Sequence, residues 1–223
     1  MNTKKKVKEE LYFFMNYYSV KNAYIGSIEH LLKFGETTTG EDGEDTIELL
    51  NLEVVVDFEK YPYTDHDEKV NGIIWNGTIL ENYCNQLLDP TNKGFVHDYG
   101  NRLRGYVDQL QYVINKLKSN STSRRALMIT WRPKLDTQHD SVPCMILLQF
   151  IIRDNALYIT GYWRSWDIYG ASYANMKAIE NIARKIQDEL EVELAELTIY
   201  TASAHIYKKD LDEAKRIVKE NSR

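Results

Sequence analysis

We read this 223-residue chain as an α+β fold in one domain, residues 1–223. Three observations predict it. Helix-like and strand-like segments follow one another without the regular βαβ alternation of a parallel sheet. Two apolar runs, MILLQFII and ALYITGYW, are separated only by Arg153-Asp154-Asn155, which makes them a hairpin. No Pro/Gly/Ser-rich linker and no internal repeat divides the chain.

From the N-terminus, Val20 to Phe34 carries Ala23, Ile25, Ile28, Leu31 and Leu32 at helical spacing. The run GETTTGEDGED, Gly35 to Asp45, is polar, acidic and glycine-containing, and predicts a loop. TIELLNLEVVVDF is rich in β-branched residues and predicts a strand. Tyr61 to Val70 is polar and irregular, and Ile79 to Leu88 predicts a short helix. Tyr106, Val107, Leu110, Val113, Ile114 and Leu117 recur at steps of three and four along an amphipathic helix. Three strands follow: Arg125 to Trp131, Met145 to Ile152 and Ala156 to Trp163. The second is apolar on both faces, as in a strand covered on both sides. From Tyr173 on, Met176, Ile179, Ile182, Ala183, Ile186 and Leu190 form a helical stripe that predicts a core face. LAELTIYTASAHIY reads as a strand, and Asp210 with Glu213 as a capping box for a last helix.

Composition narrows the function classes. Hydrophobic residues make up 43% and charged residues 27%, as in soluble globular proteins. The net charge of −5 disfavours a general nucleic-acid-binding surface. With two cysteines, Cys84 and Cys144, there is no disulfide framework. MNTKKKVKEEL lacks a following apolar stretch and does not read as a signal peptide, and no run reaches the length of a membrane span. The expected compartment is the cytoplasm. His30, His66, His97, His139 and His205 form no zinc-ligand spacing, so no metal is expected. Phosphate-loop and dinucleotide fingerprints are absent.

What remains is polar residues at strand ends, where binding sites collect. Cys144, after Pro143 and before an apolar run, is either a packed hydrophobe or a nucleophile. Arg124 and Arg125 open a strand, and Arg164, Ser165 and Asp167 close another. Three guanidiniums and a hydroxyl would suit a phosphate dianion. The plain alternatives are a solvated turn for the arginine pair and a surface ion pair for Arg164 with Asp167. Asn175 is a base-reading amide or a helix cap. His205 and Tyr207 close the last long strand.

Taken in order, SRRALMITW, VPCMILLQFIIRDNALYITGYWRSWDIYGASYAN and SAHIY resemble the thymidylate synthase family. That family has paired arginines before a strand, Pro-Cys before the next, an Arg-Asp turn, Arg-Ser-x-Asp, an Asn eight residues on, and His-x-Tyr. HDYGNRLRGYVDQLQYVINKLKSN is similar to its preceding Tyr-Gly segment. The likeness is to the short archaeal-type members, which share Asp-Ile-Tyr-Gly-Ala and Ser-Ala-His-Ile-Tyr.

The resemblance implies a mixed sheet packed with helices, and a homodimer formed through the sheet. It implies conversion of dUMP to dTMP with 5,10-methylenetetrahydrofolate or a methylene-tetrahydromethanopterin analogue as cosubstrate. Cys144 becomes the nucleophile at pyrimidine C6, with Arg164 lowering its pKa. Arg124 and Arg125 are lent to the partner subunit's phosphate site, while Arg164 and Ser165 bind phosphate in cis. His205 and Tyr207 fall at the deoxyribose hydroxyl, Asp167 at the pterin ring, Tyr99 in proton transfer and Glu81 in the catalytic water network. Asn175 would donate to uracil O4 and accept from N3–H, which selects uracil over cytosine.

The chain also departs from the pattern. Met145 stands where most members have His, and Trp163 where Gln is usual. The loop Gly35 to Asp45 has no arginine for the phosphate. The usual C-terminal tail over the pterin is not seen after the segment Asp210 to Glu220. Less water exclusion would favour a hydroxymethylase, the related alternative, in which water rather than hydride closes the reaction. A non-catalytic nucleotide- or RNA-binding homologue is the alternative of another class.

Overall fold

A computed structural model describes residues 14–59, 69–92 and 98–221. His66 and His97 lie outside them, as do the N-terminal run and most of the segment Tyr61 to Val70. Among the described residues, one eight-stranded mixed sheet carries seven α-helices. The strands are β1 (Phe14–Tyr17), β2 (Glu36–Thr39), β3 (Asp45–Asp57), β4 (Ala126–Ile129), β5 (Met145–Arg153), β6 (Ala156–Trp163), β7 (Trp166–Asp167) and β8 (Glu193–Tyr207). The helices are α1 (Val20–Phe34), α2 (Gly77–Gln86), α3 (Tyr99–Arg104), α4 (Gln109–Ser119), α5 (Pro133–Asp136), α6 (Ser172–Leu190) and α7 (Leu211–Asn221). The sheet runs β1-β3-β8-β6-β5-β4, with β2 on β3 and β7 on β8. The fold is α+β, as the order of elements implies.

Local chemistry explains the boundaries. Ser19 caps α1 by accepting the Asn22 amide at 3.1 Å. The apolar stripe of α1 buries Ala23, Ile28 and Leu31 against β3. The β5–β6 hairpin turns at Asp154 and Asn155, both left-handed with φ of 50° and 63°. Two consecutive positive φ values are what a type I′ turn needs, and Asp and Asn tolerate them.

Four expectations are corrected. Gly35 to Asp45 is not all loop: Glu36–Thr39 forms β2, antiparallel to β3. Three β-branched threonines favour the strand, and Gly43, at φ 78°, turns the chain. Tyr106 and Val107 are not on the amphipathic helix; they are 90% and 54% exposed. α3 ends at Gly105, and Asp108 caps a new helix by accepting the Gln111 amide. β5 is not equally covered: Met145, Leu148, Phe150 and Ile152 are buried, but Ile146, Leu147 and Ile151 are half-exposed. Finally, the Glu213 carboxylate pairs with Arg216 at 2.7 Å rather than reaching back as a capping box.

Along the pair β3–β8 the core-facing positions switch, and this switch matters for the site. Before it on β8, Leu197, Ile199 and Thr201 are buried opposite Val56, Val54 and Leu52. After it, Ala204 and Ile206 are the buried positions. Core-facing residues therefore switch from odd to even, and Asn51, with φ 56°, sits at the switch. His205 and Tyr207 are left on the side away from the core.

Candidate active site

Cys144 sits at the mouth of β5, half-buried, directly before Met145. Its backbone is held by Arg164 at the end of β6. The Arg164 amide donates to the Cys144 carbonyl at 2.9 Å. Nε donates to the Pro143 carbonyl at 3.0 Å and Nη2 to the Val142 carbonyl at 2.7 Å. The same Nη2 lies 3.7 Å from the Cys144 sulfur. Burial nevertheless pushes the thiol above the ordinary cysteine range; Arg164 pulls it down and Asp167 pushes it up. Sequence reasoning expected a lowered pKa. It had the guanidinium, but no measure of desolvation.

Tyr99, the first residue of α3, accepts the Met145 amide on its hydroxyl at 3.2 Å. Burial raises its pKa, so the phenol stays protonated. Asn175 is buried in the first turns of α6, past the helix start, and is therefore not the cap. Its Oδ1 accepts from the Trp166 indole at 3.0 Å, and its Nδ2 donates to the Tyr83 hydroxyl at 2.5 Å. An indole only donates, so the atom it meets must be the amide oxygen, and the orientation of Asn175 is fixed.

β7 brings Asp167 directly opposite His205 of β8. Asp167 Oδ1 accepts the Gly170 amide at 2.8 Å. Burial raises the Asp167 pKa and lowers that of His205, while each favours the charged form of the other. Ser165 Oγ is 3.4 Å from His205 Nδ1. The His205 and Tyr207 rings meet edge to face at 5.2 Å, and burial raises the Tyr207 pKa. Asp42, in the β2–β3 turn, is close enough to act electrostatically on both. The loop that lacks an arginine therefore turns a carboxylate toward this end of the sheet.

The structure brings Cys144, Arg164, Ser165, Asp167, Tyr99, Asn175, His205 and Tyr207 into one neighbourhood. It does not bring Glu81 there. Glu81 is exposed and lines a separate groove of about 530 Å³ with Cys84, Lys177 and Arg184. The residue α2 presents to the site is Tyr83. Sequence reasoning missed both Tyr83 and Trp166. Tyrosine is abundant here, at 16 residues, and nothing local marks this one as the partner of an amide 92 positions away.

Arg124 and Arg125 are exposed at the far end of β4. Ala126 pairs with Phe150, six residues along β5 from Cys144, a span of about 20 Å at the usual strand rise. They are not at their own chain's thiol. Among the described residues, no cluster of three or more His, Cys, Asp or Glu is placed to hold a metal. No described helix is long and apolar enough to cross a membrane.

The chain is similar to known proteins over most of its length. The family model described as "Thymidylate synthase" matches residues 65–223. A protein of Methanothermobacter marburgensis, provisionally named thymidylate synthase, is 38% identical over 212 residues, 90% of this chain and 95% of its own length. Its counterpart in Methanothermobacter thermautotrophicus, named the same way, is 41% identical over 86% of this chain and 92% of its own. One from Methanocaldococcus jannaschii, again with that provisional name, is 33% identical over 89% and 92%. A match over most of the sequence, joined to relatives aligned along nearly their whole length, means that this chain belongs to the thymidylate synthase family.

Proposed function

We propose that this protein converts dUMP to dTMP, with Cys144 as the covalent nucleophile and a methylene-carrying reduced pterin as cosubstrate. The observation that carries the reading is the Arg164 guanidinium, bonded to the Val142 and Pro143 carbonyls and 3.7 Å from the Cys144 sulfur. It holds the nucleophile's segment rigid and favours the thiolate. The thiolate adds to C6 and turns C5 into an enolate carbon able to attack an electrophilic methylene. The pterin supplies that methylene and then a hydride; C5 loses its proton, and expulsion of the thiolate restores the ring double bond.

The other side chains suit this task. The Asn175 oxygen keeps a lone pair beyond its Trp166 bond, and the nitrogen keeps a hydrogen beyond its Tyr83 bond. The amide can thus accept from uracil N3–H and donate to O4. Arg164 and Ser165 bind the phosphate, and His205 with Tyr207 meets the deoxyribose hydroxyl. Asp167, a half-buried carboxylate anchored by Gly170, fits the N–H groups of a pterin ring. Tyr99 serves proton transfer beside the nucleophile. The carrier is tetrahydrofolate or tetrahydromethanopterin, and pterin exchange in the assay distinguishes them.

The working unit in this reading is a homodimer through the sheet. Ile129, Leu147, Tyr162 and Tyr200 stand opposite one another across four strands. Ile129, Tyr162 and Tyr200 are 45%, 39% and 43% exposed, an apolar row suited to a second sheet. Arg124 and Arg125 would then reach the partner's phosphate.

Incubation with dUMP and methylene pterin, followed by mass analysis, tests the chemistry. Methylation is expected; a product bearing only a hydroxymethyl group overturns the synthase reading in favour of the hydroxymethylase. Cys144→Ser should bind nucleotide and lose turnover. Surviving activity would remove Cys144 from its role, and binding without turnover in the parent protein would favour a non-catalytic homologue.

A further inference from the structure

A buried ion pair lies one helical turn beyond Tyr99. Arg102 of α3 is 5% exposed and Asp136 of α5 is 1% exposed. They form a bidentate pair, with Nη1 to Oδ2 at 2.8 Å and Nη2 to Oδ1 at 2.7 Å. Asp136 Oδ2 also accepts the Arg132 amide at 2.6 Å. Arg102 Nη1 donates further, to the Thr130 carbonyl at 2.9 Å. Thr130 is fully buried, and its hydroxyl donates to the Met145 carbonyl. Its amide donates to the Ile146 carbonyl at 2.9 Å. Met145 in turn donates its amide to the Tyr99 hydroxyl.

These bonds close a circuit: Tyr99, Met145, Thr130, Arg102 and back along α3 to Tyr99. The peptide groups on both sides of Met145, the residue after the thiol, are held by hydroxyls. Arg132 fastens the same helix from outside, its Nη2 donating to the Asn101 and Arg102 carbonyls at 3.1 and 3.2 Å. A buried pair is a poor source of stability, because desolvation offsets most of its attraction. Its worth in such a place is geometric.

We propose that Arg102 and Asp136 are positioning residues for the Cys144 centre: the pair fixes α3 so that the Tyr99 hydroxyl stays on the Met145 amide, and this sets how Cys144 presents its thiol. The inference rests on the function proposed above only where turnover is read.

The test uses Cys84→Ala protein, so that Cys144 is the single thiol. Its alkylation by iodoacetamide is followed against pH in the parent, in Arg102→Met/Asp136→Leu, in Tyr99→Phe, and in the two combined. Removing both partners avoids stranding a buried charge. The expected result is a displaced alkylation profile in the pair variant. Adding Tyr99→Phe should displace it little further, since both changes cut the same circuit. Turnover should fall about tenfold or more with the nucleotide KM nearly unchanged. A variant that melts earlier yet keeps the parent's alkylation profile and kcat overturns the proposal. If the pair variant does not fold, Thr130→Val cuts the circuit at the Met145 carbonyl with the pair in place, and its profile decides. Absence of dUMP turnover in the parent sinks the synthase reading alone; the alkylation arm still judges the pair.

Discussion

A guanidinium beside a sulfur does not by itself make a thiolate. At Cys144 burial outweighs Arg164, and the thiol stays above its usual range before substrate arrives. Alkylation of Cys144 should therefore rise with pH through a midpoint above that of a free cysteine. In Arg164→Gln the remaining influences all push upward, so the midpoint should move higher and alkylation at pH 8 should slow. A downward shift would show that Arg164 does not favour the thiolate. Asn175 gives a second prediction. Asn175→Asp replaces a donor with an acceptor opposite uracil O4, so kcat/KM for dUMP should fall at least about a hundredfold. Deoxycytidylate should become the better-bound nucleotide in a competition assay. Residues of this kind were legible because each belongs to a short pattern such as Pro-Cys or Arg-Ser-x-Asp. Tyr83 and Trp166 were not. Their task is to orient Asn175, and that exists only once α2, β7 and α6 are brought together.

Elements differ in how much their own residues decide. α1 and β6 have the bounds that periodicity gave, since capping, stripe and turn chemistry agree there. β2 was hidden because four residues of Glu and Thr next to an acidic turn carry no apolar signal; only pairing with β3 makes them a strand. The helix expected from Tyr106 is present but starts only at Gln109: an exposed Tyr-Val pair fitted the period, while Asp108 caps the helix after them. α3 shows the reverse dependence, of an element on its neighbour. A Cβ at Gly100 would lie 2.1 Å from the Gln86 carbonyl oxygen and 2.3 Å from that of Asp89. Glycine to alanine inside a helix ordinarily stabilises. Gly100→Ala should instead destabilise by about 1–3 kcal/mol in urea unfolding, because backbone cannot yield as a side chain does. It should also lower kcat, since Tyr99 is the adjacent residue. Stabilisation would mean that α3 does not pack this tightly on the end of α2.

At the scale of the molecule, the sheet has one face under helices and another only partly covered. β5 reads from its residues as a strand covered on both sides, yet only one of its faces is buried within the chain. What covers the second face lies beyond a single chain's pattern. The dimer reading makes a sharp prediction. Cys144→Ser and Arg125→Ala, each inactive alone, should regain activity when unfolded and refolded together. Random pairing leaves about a quarter of all sites with an intact thiol and an intact partner arginine. No recovery on mixing would place Arg125 outside the partner's centre. The span of β5 between Cys144 and the strand end beside Arg125 also has a consequence for dosage. Where a centre needs two polypeptides, the number of working centres at low expression grows with the square of the polypeptide concentration. Halving the gene's output would then remove more than half of the nucleotide made, and specific activity should decline on serial dilution of the purified protein.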